Sequence, residues 1–324
     1  MRHPLLLAAA ATAAALALTA CGTTEPAATS SDKPAESITL TDATGARIKL
    51  DGPAKKVVGT EWNVVENLVS LGVDPVGVAD VKGYTAWDSS VPLKNKPKDI
   101  GTRGEPSMDT IAGLSPDLIV ATSDLPKAAV KQLRKIAPVL EVRAADAADQ
   151  IGRMKGNLDL IAKATGTTAK AKELKTAFDA KVAEGKKALA DADLAGSEFA
   201  FADGYTASNQ VSIRPYTSGS LVGSVNEAIG LKNAWKVKGD ESYGLATTDV
   251  EGLSDLGDVQ FAYIGNASEP SDPFKDDLAK NSVWKSLPFV KDGNVHRLPD
   301  GIWMFGGPES MEAYIDAVVG ALTK

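Results

Sequence analysis

The 324-residue chain has one cysteine, two histidines and only 6% aromatic residues. A single cysteine excludes an intrachain disulfide and any cysteine-rich zinc centre. Of the two histidines, His3 lies in the leader-like start of the chain, so His296 alone remains for a metal site or a Ser-His-Asp triad. No Gly-x-Ser-x-Gly nucleophile elbow is present either, which argues against the enzymatic alternative, a cell-surface hydrolase. Positive charge is also short: 35 Lys and Arg face 42 Asp and Glu, a net charge of −7. Nucleic acid is a poor partner for such a chain, because its binding depends on neutralising phosphates with cations. The uncharged apolar run Leu5 to Ala20 falls short of the roughly 20 residues that a membrane-spanning helix needs.

That run follows the basic start Met1-Arg2-His3, the pattern of a secretory signal, and predicts a signal peptide over residues 1–20. The tetrad Leu18-Thr19-Ala20-Cys21 resembles the lipobox of bacterial lipoproteins, in which cleavage precedes the cysteine and a lipid is attached to its sulfur. Cys21 is therefore expected to anchor the protein to the outer face of the bacterial cell membrane. Gly22 to Glu36 carries no large apolar residue and reads as a flexible tether, completing a segment 21–36.

From residue 37 the chain reads as strands alternating with helices, the pattern of α/β lobes. Expected strands are Lys55 to Val58, Val76 to Ala79, Asp117 to Ala121 and Val139 to Val142. The helices between them are expected after an N-cap at Thr60, over Met108 to Leu114, and over Lys127 to Ala137. Ile151, Met154, Leu158 and Ile161 then recur at helical spacing within Ala147 to Ala164, and Gly166 supplies a stop. A second helix is expected over Thr168 to Asp191, after which strands return at Phe199 to Ala202 and Val259 to Ile264, with helices at Ser220 to Ile229 and Pro308 to Leu322. The organisation expected is an N-terminal lobe over 37–145, a connecting helix over 146–167 and a C-terminal lobe over 168–324, two Rossmann-like α/β lobes joined by one long rigid helix.

The runs Val57-Val58-Gly59-Thr60-Glu61-Trp62, Asp99-Ile100-Gly101-Thr102-Arg103-Gly104-Glu105-Pro106 and Leu114-Ser115-Pro116-Asp117-Leu118-Ile119 resemble the substrate-binding proteins of iron-siderophore ABC importers. So do Val283-Trp284-Lys285-Ser286-Leu287-Pro288-Phe289-Val290 and Ile302-Trp303-Met304-Phe305-Gly306-Gly307-Pro308, which are similar to the ferric-hydroxamate-binding branch. The resemblance implies the class III periplasmic binding protein fold and a non-enzymatic, monomeric receptor that delivers a ferric siderophore to an ABC permease dimer. It implies no cofactor and no protein metal ligand, since the chelator itself holds the iron. Ferric citrate, a catecholate siderophore, haem and cobalamin are the alternatives on the same scaffold.

Matched to family positions, Trp62, Tyr84, Trp87, Tyr243 and Trp303 are expected in the ligand cleft, with Tyr243 standing where the hydroxamate branch has a tryptophan. Arg103 matches the arginine that donates to iron-bound oxygens, a role suited to a guanidinium's fixed fork of donors. Arg214 and Tyr216, in the polar stretch Ser212 to Ser220, are further ligand candidates, with Arg297 a weaker one. Glu66 and Glu227, one per lobe, are implied as the acids that dock onto permease arginines. Trp235 and Trp284, beside apolar neighbours, are expected in the core, and His296 carries no ligand signature.

Overall fold

The computed structural model describes residues 37–208 and 210–324, so the expected signal peptide, Cys21 and the expected tether lie outside the described residues. The chain enters on a hairpin that the sequence pattern had not indicated, β1 (Ile38–Thr41) against β2 (Arg47–Leu50). Its alternation buries Leu40, Ile48 and Leu50 on one face.

The N-terminal lobe follows as β3 (Val57–Gly59), α1 (Trp62–Ser70), β4 (Gly77–Val78), α2 (Val81–Trp87), β5 (Lys98–Asp99), α3 (Met108–Leu114), β6 (Leu118–Thr122), α4 (Lys127–Leu133) and β7 (Val139–Val142). The five strands from β3 to β7 are parallel in the order β5-β4-β3-β6-β7. Winding therefore reverses between β3 and β6, and ligands of such sheets bind in the crevice outside the carboxyl ends at that reversal. Glu61, not Thr60, caps α1: its Oε1 accepts from Trp62 N at 2.8 Å, while Thr60 donates to the Val120 carbonyl of β6. Helix α4 stops at Leu133, short of the expected Ala137, and the chain tightens into turns in which Lys135 N donates to the Gln132 carbonyl at 3.0 Å and Ile136 N to the Leu133 carbonyl at 2.9 Å.

Connecting helix α5 (Gln150–Thr165) starts later than Ala147, where the Asp149 side chain accepts from Gly152 N at 3.0 Å. It ends at Gly166, whose φ of +73° is the left-handed conformation of a helix stop. Helix α6 (Thr168–Asp191) matches its expected span.

The C-terminal lobe comprises β8 (Glu198–Ala207), β9 (Gln210–Pro215), α7 (Leu221–Ala228), β10 (Lys232–Asn233), β11 (Gln260–Tyr263), α8 (Ser282–Ser286), α9 (Pro288–Lys291), β12 (Val295–Arg297) and α10 (Pro308–Leu322). Strands β10-β8-β11-β12 run parallel, and β9 pairs antiparallel with β8, placing Arg214 opposite Asp203. The first part of the polar stretch Ser212 to Ser220, as far as Pro215, is thus strand. Ile213 and Pro215 turn inward, and the period of two leaves Arg214 on the opposite face. One apolar cluster joins the lobes, with Trp62, Val65, Val69 and Tyr84 on one side, Met154 of α5, and Phe199, Phe201, Val222, Met311 and Tyr314 on the other.

Candidate functional site

The segments after the carboxyl ends of the strands converge on a cavity of about 400 Å³, a size that suits a small ligand. Its N-terminal wall is Glu61, Trp62, Asn63, Trp87 and Arg103; Asp203, Arg214, Tyr243, Leu245, Trp303, Met304 and Phe305 form the other. Glu61 and Trp62 leave β3 directly. Arg103 sits in the turn after β5, where Gly101 has φ +96° and a Cβ would lie 3.1 Å from the Glu105 carbonyl, so glycine is needed there. The Trp62 indole donates to the Ala79 carbonyl at 3.2 Å, which fixes its plane. Trp62 and Trp303 meet edge to face at 4.8 Å, Trp303 and Phe305 at 5.1 Å, and Tyr243 and Phe305 at 5.6 Å. The result is an aromatic wall drawn from both lobes.

Two arginines face this wall, and each is held by an acid. Arg103 Nη1 donates to Glu61 Oε1 at 2.9 Å, and its guanidinium lies 4.0 Å from the Trp62 ring centre, a cation–π geometry. Arg214 forks onto Asp203, with Nε to Oδ1 at 2.8 Å and Nη2 to Oδ2. Its Nη2 also donates to the Tyr216 hydroxyl at 3.3 Å, which in turn donates to Asp203 Oδ2 at 3.0 Å. Burial works against the Arg214 charge, but Tyr216 and Asp203 outweigh it and hold the pKa above its ordinary value. Burial, then the Asp203 charge, pushes the Tyr216 pKa up, so it remains a phenol donor.

Tyr243 is half-buried and donates to Asp124, which brings the α4 end of the N-terminal lobe to the same wall. Its loop is shaped by Asp240, whose carboxylate accepts from Ser242 N, Tyr243 N and Leu245 N. Burial raises the Asp240 pKa, yet these donors prevail and hold it below the usual range.

Trp62, Trp87, Arg103, Arg214, Tyr243 and Trp303 thus line one cavity, and three expectations fail. Tyr84 is fully buried in α2 with its hydroxyl on the Val91 carbonyl at 2.6 Å, so it is a core residue and cannot touch a ligand. Tyr216 is also 0% exposed: it lies behind Arg214 and positions it, with no surface of its own in the cavity. Glu66 is 0% exposed and cannot meet a permease arginine. It reaches from α1 to the first turn of α10, where Oε1 accepts from Ser310 N at 3.1 Å and Oε2 from Ser310 Oγ at 3.0 Å. Burial, opposed by the donors of Gly307 and Ser310, pushes Glu66 up to about 7. Asp88, buried beside it and 3.3 Å from Ser310 Oγ, is raised by burial and by Glu66. Glu227 is exposed on the last turn of α7.

Trp235 and Trp284 are buried in the C-terminal core as expected, with Phe261 against both. Arg297 does not line the cavity and is held by Asp272 and Asp300. His296 bonds Gln260 at 2.7 Å. Among the described residues no group of three or more His, Cys, Asp or Glu side chains is placed to hold a metal. Sequence reasoning missed Glu61, Asp203, Asp124 and Phe305. The signal for Glu61 and Asp203 was their position at or just past the end of a buried strand run, where α/β sheets place their binding groups.

The sequence profile of the family described as periplasmic binding protein matches residues 57–301. The chain belongs to that family. The probable siderophore-binding lipoprotein YfiY of Bacillus subtilis is 28% identical to it over 304 residues, covering 91% of this chain and 90% of YfiY. The Fe(3+)-citrate-binding protein YfmC of the same organism is 30% identical over 273 residues, covering 81% and 79%. A crystal structure of the Fe3+–Desferal-bound siderophore-binding protein FhuD from Vibrio cholerae matches with a TM-score of 0.74 at 26% identity, covering 83% of this chain and 98% of that one. The α/β architecture expected from the sequence is that of this periplasmic binding protein family.

Proposed function

We propose that this periplasmic binding protein is the extracytoplasmic receptor of an iron-uptake ABC transporter and captures a ferric siderophore of the hydroxamate class in the cavity between its lobes. The observation that carries the reading is the pairing of an aromatic wall with two guanidinium groups. A chelated iron needs no protein ligand. It needs a shaped apolar surface and donors for the chelator's oxygens, which Arg103 and Arg214 supply with the N–H groups not taken by their acids. The relatives named as siderophore-binding and citrate-binding proteins agree with iron as cargo. Ferric citrate is the second reading, on the likeness to YfmC.

The receptor acts as a monomer tethered through lipidated Cys21, a placement consistent with relatives named as lipoproteins. Glu227 is the docking acid retained for the permease dimer, and Glu66 is withdrawn from that role. Trp62, Trp87 and Trp303 line the cavity, so ferric chelate binding is read by tryptophan quenching. Saturable quenching by a ferric trihydroxamate, with none by the iron-free chelator, is the expected result. No quenching by any ferric chelate, or equal affinity for iron-free forms, would overturn the reading.

A further inference from the structure

The cavity carries its arginines already neutralised. Four charged side chains line it, Glu61, Arg103, Asp203 and Arg214, and they sum to zero. Each acid is less exposed than its arginine, Glu61 at 24% against 37% and Asp203 at 12% against 41%. The acids therefore form the fixed inner layer, and the guanidinium edges face the space where a ligand sits. Arg297, the third cation considered for this cleft, is spent on Asp272 and Asp300 elsewhere.

We infer that Glu61 and Asp203 are specificity-determining residues that select ferric chelates of zero net charge and reject anionic ones. The inference rests on the ferric-siderophore reading of this cavity. Charge balance in the ligand gives its content. Three hydroxamates, each a monoanion, cancel the three positive charges of Fe3+, whereas three catecholates, each a dianion, leave an excess of three negative charges. A neutral complex meets donors from Arg103 and Arg214 without meeting an unbalanced field. An anionic complex gains the same donors but finds no net positive charge to balance its surplus in a partly desolvated site, where an uncompensated charge costs more than in water. Had the arginines stood alone, the same cavity would favour anions.

The test titrates tryptophan quenching for a neutral ferric trihydroxamate and for ferric tris-catecholate and ferric citrate, in the wild type, Glu61→Gln and Asp203→Asn. Gln and Asn keep an acceptor oxygen for the arginine while removing the charge, and circular dichroism checks that each variant folds. Wild type is expected to prefer the neutral complex by 100-fold or more, about 3 kcal/mol. Each variant is expected to shift the ratio of anionic to neutral affinity at least tenfold toward the anionic complexes. Equal changes for both ligand classes in the variant that folds would overturn the inference while leaving ferric-siderophore binding intact. Wild type binding anionic complexes as well as neutral ones would overturn it too. Absence of binding to any ferric chelate removes the functional reading itself, and the inference with it.

Discussion

Replacing Glu66 with Gln is expected to make the protein more stable at neutral and alkaline pH and to remove the Glu66 share of the stability lost between pH 4.5 and 7. Glu66 is buried between α1 and α10, and burial lifts its carboxyl from 4.5 to about 7. A raised carboxyl binds its proton more tightly in the folded state than in the unfolded one. Between the two values the folded state therefore holds more protons, and stability falls as pH rises. A shift of this size corresponds to about 3 kcal/mol lost between pH 4.5 and 7, at 1.36 kcal/mol per unit. Tyr84, Asp88 and Glu309 are the titratable groups facing it, and Asp88, also raised, adds in the same direction. Gln keeps an oxygen for Ser310 N and has no proton to lose in this range. Urea unfolding of both proteins at pH 5, 6, 7 and 8 reads the difference: wild type should fall by that order across the series, and Glu66→Gln should fall by much less. Wild-type stability that rises with pH, or a variant that tracks it in parallel, would refute a protonated carboxyl in this position.

Arg103→Ala is expected to weaken ferric hydroxamate binding by about 1.5–3 kcal/mol, the range for a charged hydrogen bond, as measured by quenching titration. Glu227→Lys should lower iron uptake in cells while leaving affinity in solution unchanged, because the residue is exposed on α7 and does not line the cavity. Cys21→Ser should release the protein from the membrane fraction without altering affinity, and a lost affinity would contradict the anchor.

Much of the fold was legible because it is written in long periodic segments. Helix α6 over Thr168–Asp191 and α10 over Pro308–Leu322 stand where apolar spacing and Pro or Gly punctuation place them. The hairpin β1–β2 was not legible: its strands are four residues long and only three of their eight side chains are buried. Strand β9 was hidden by polar residues, because Arg214 and Ser212 share the face that looks away from the core. For the site, Trp62, Arg103 and Trp303 follow from family positions beyond strand ends. Tyr84 and Glu66 fail for one reason. A residue's place on a helix is read from its own segment, but which face that helix buries is decided by what packs on it, here the loop at Val91 just past α2 for Tyr84 and the distant Ser310 for Glu66.

The apolar cluster that runs across the lobes also bears on the order in which the protein comes to exist. Phe201 and Tyr314 touch edge to face at 5.3 Å, Tyr314 bonds Asn226 at 3.0 Å, and the α10 terminus receives Glu66 from α1. Of all the described elements, α10 is the last to be synthesised, yet it supplies part of a core that both lobes share. The shared cluster cannot close until α10 docks, and the surfaces it covers stay open to proteases until then. A chain ending at Gly307 is expected to remain protease-sensitive throughout, and resistance of its N-terminal lobe in limited proteolysis would show that lobe to mature alone.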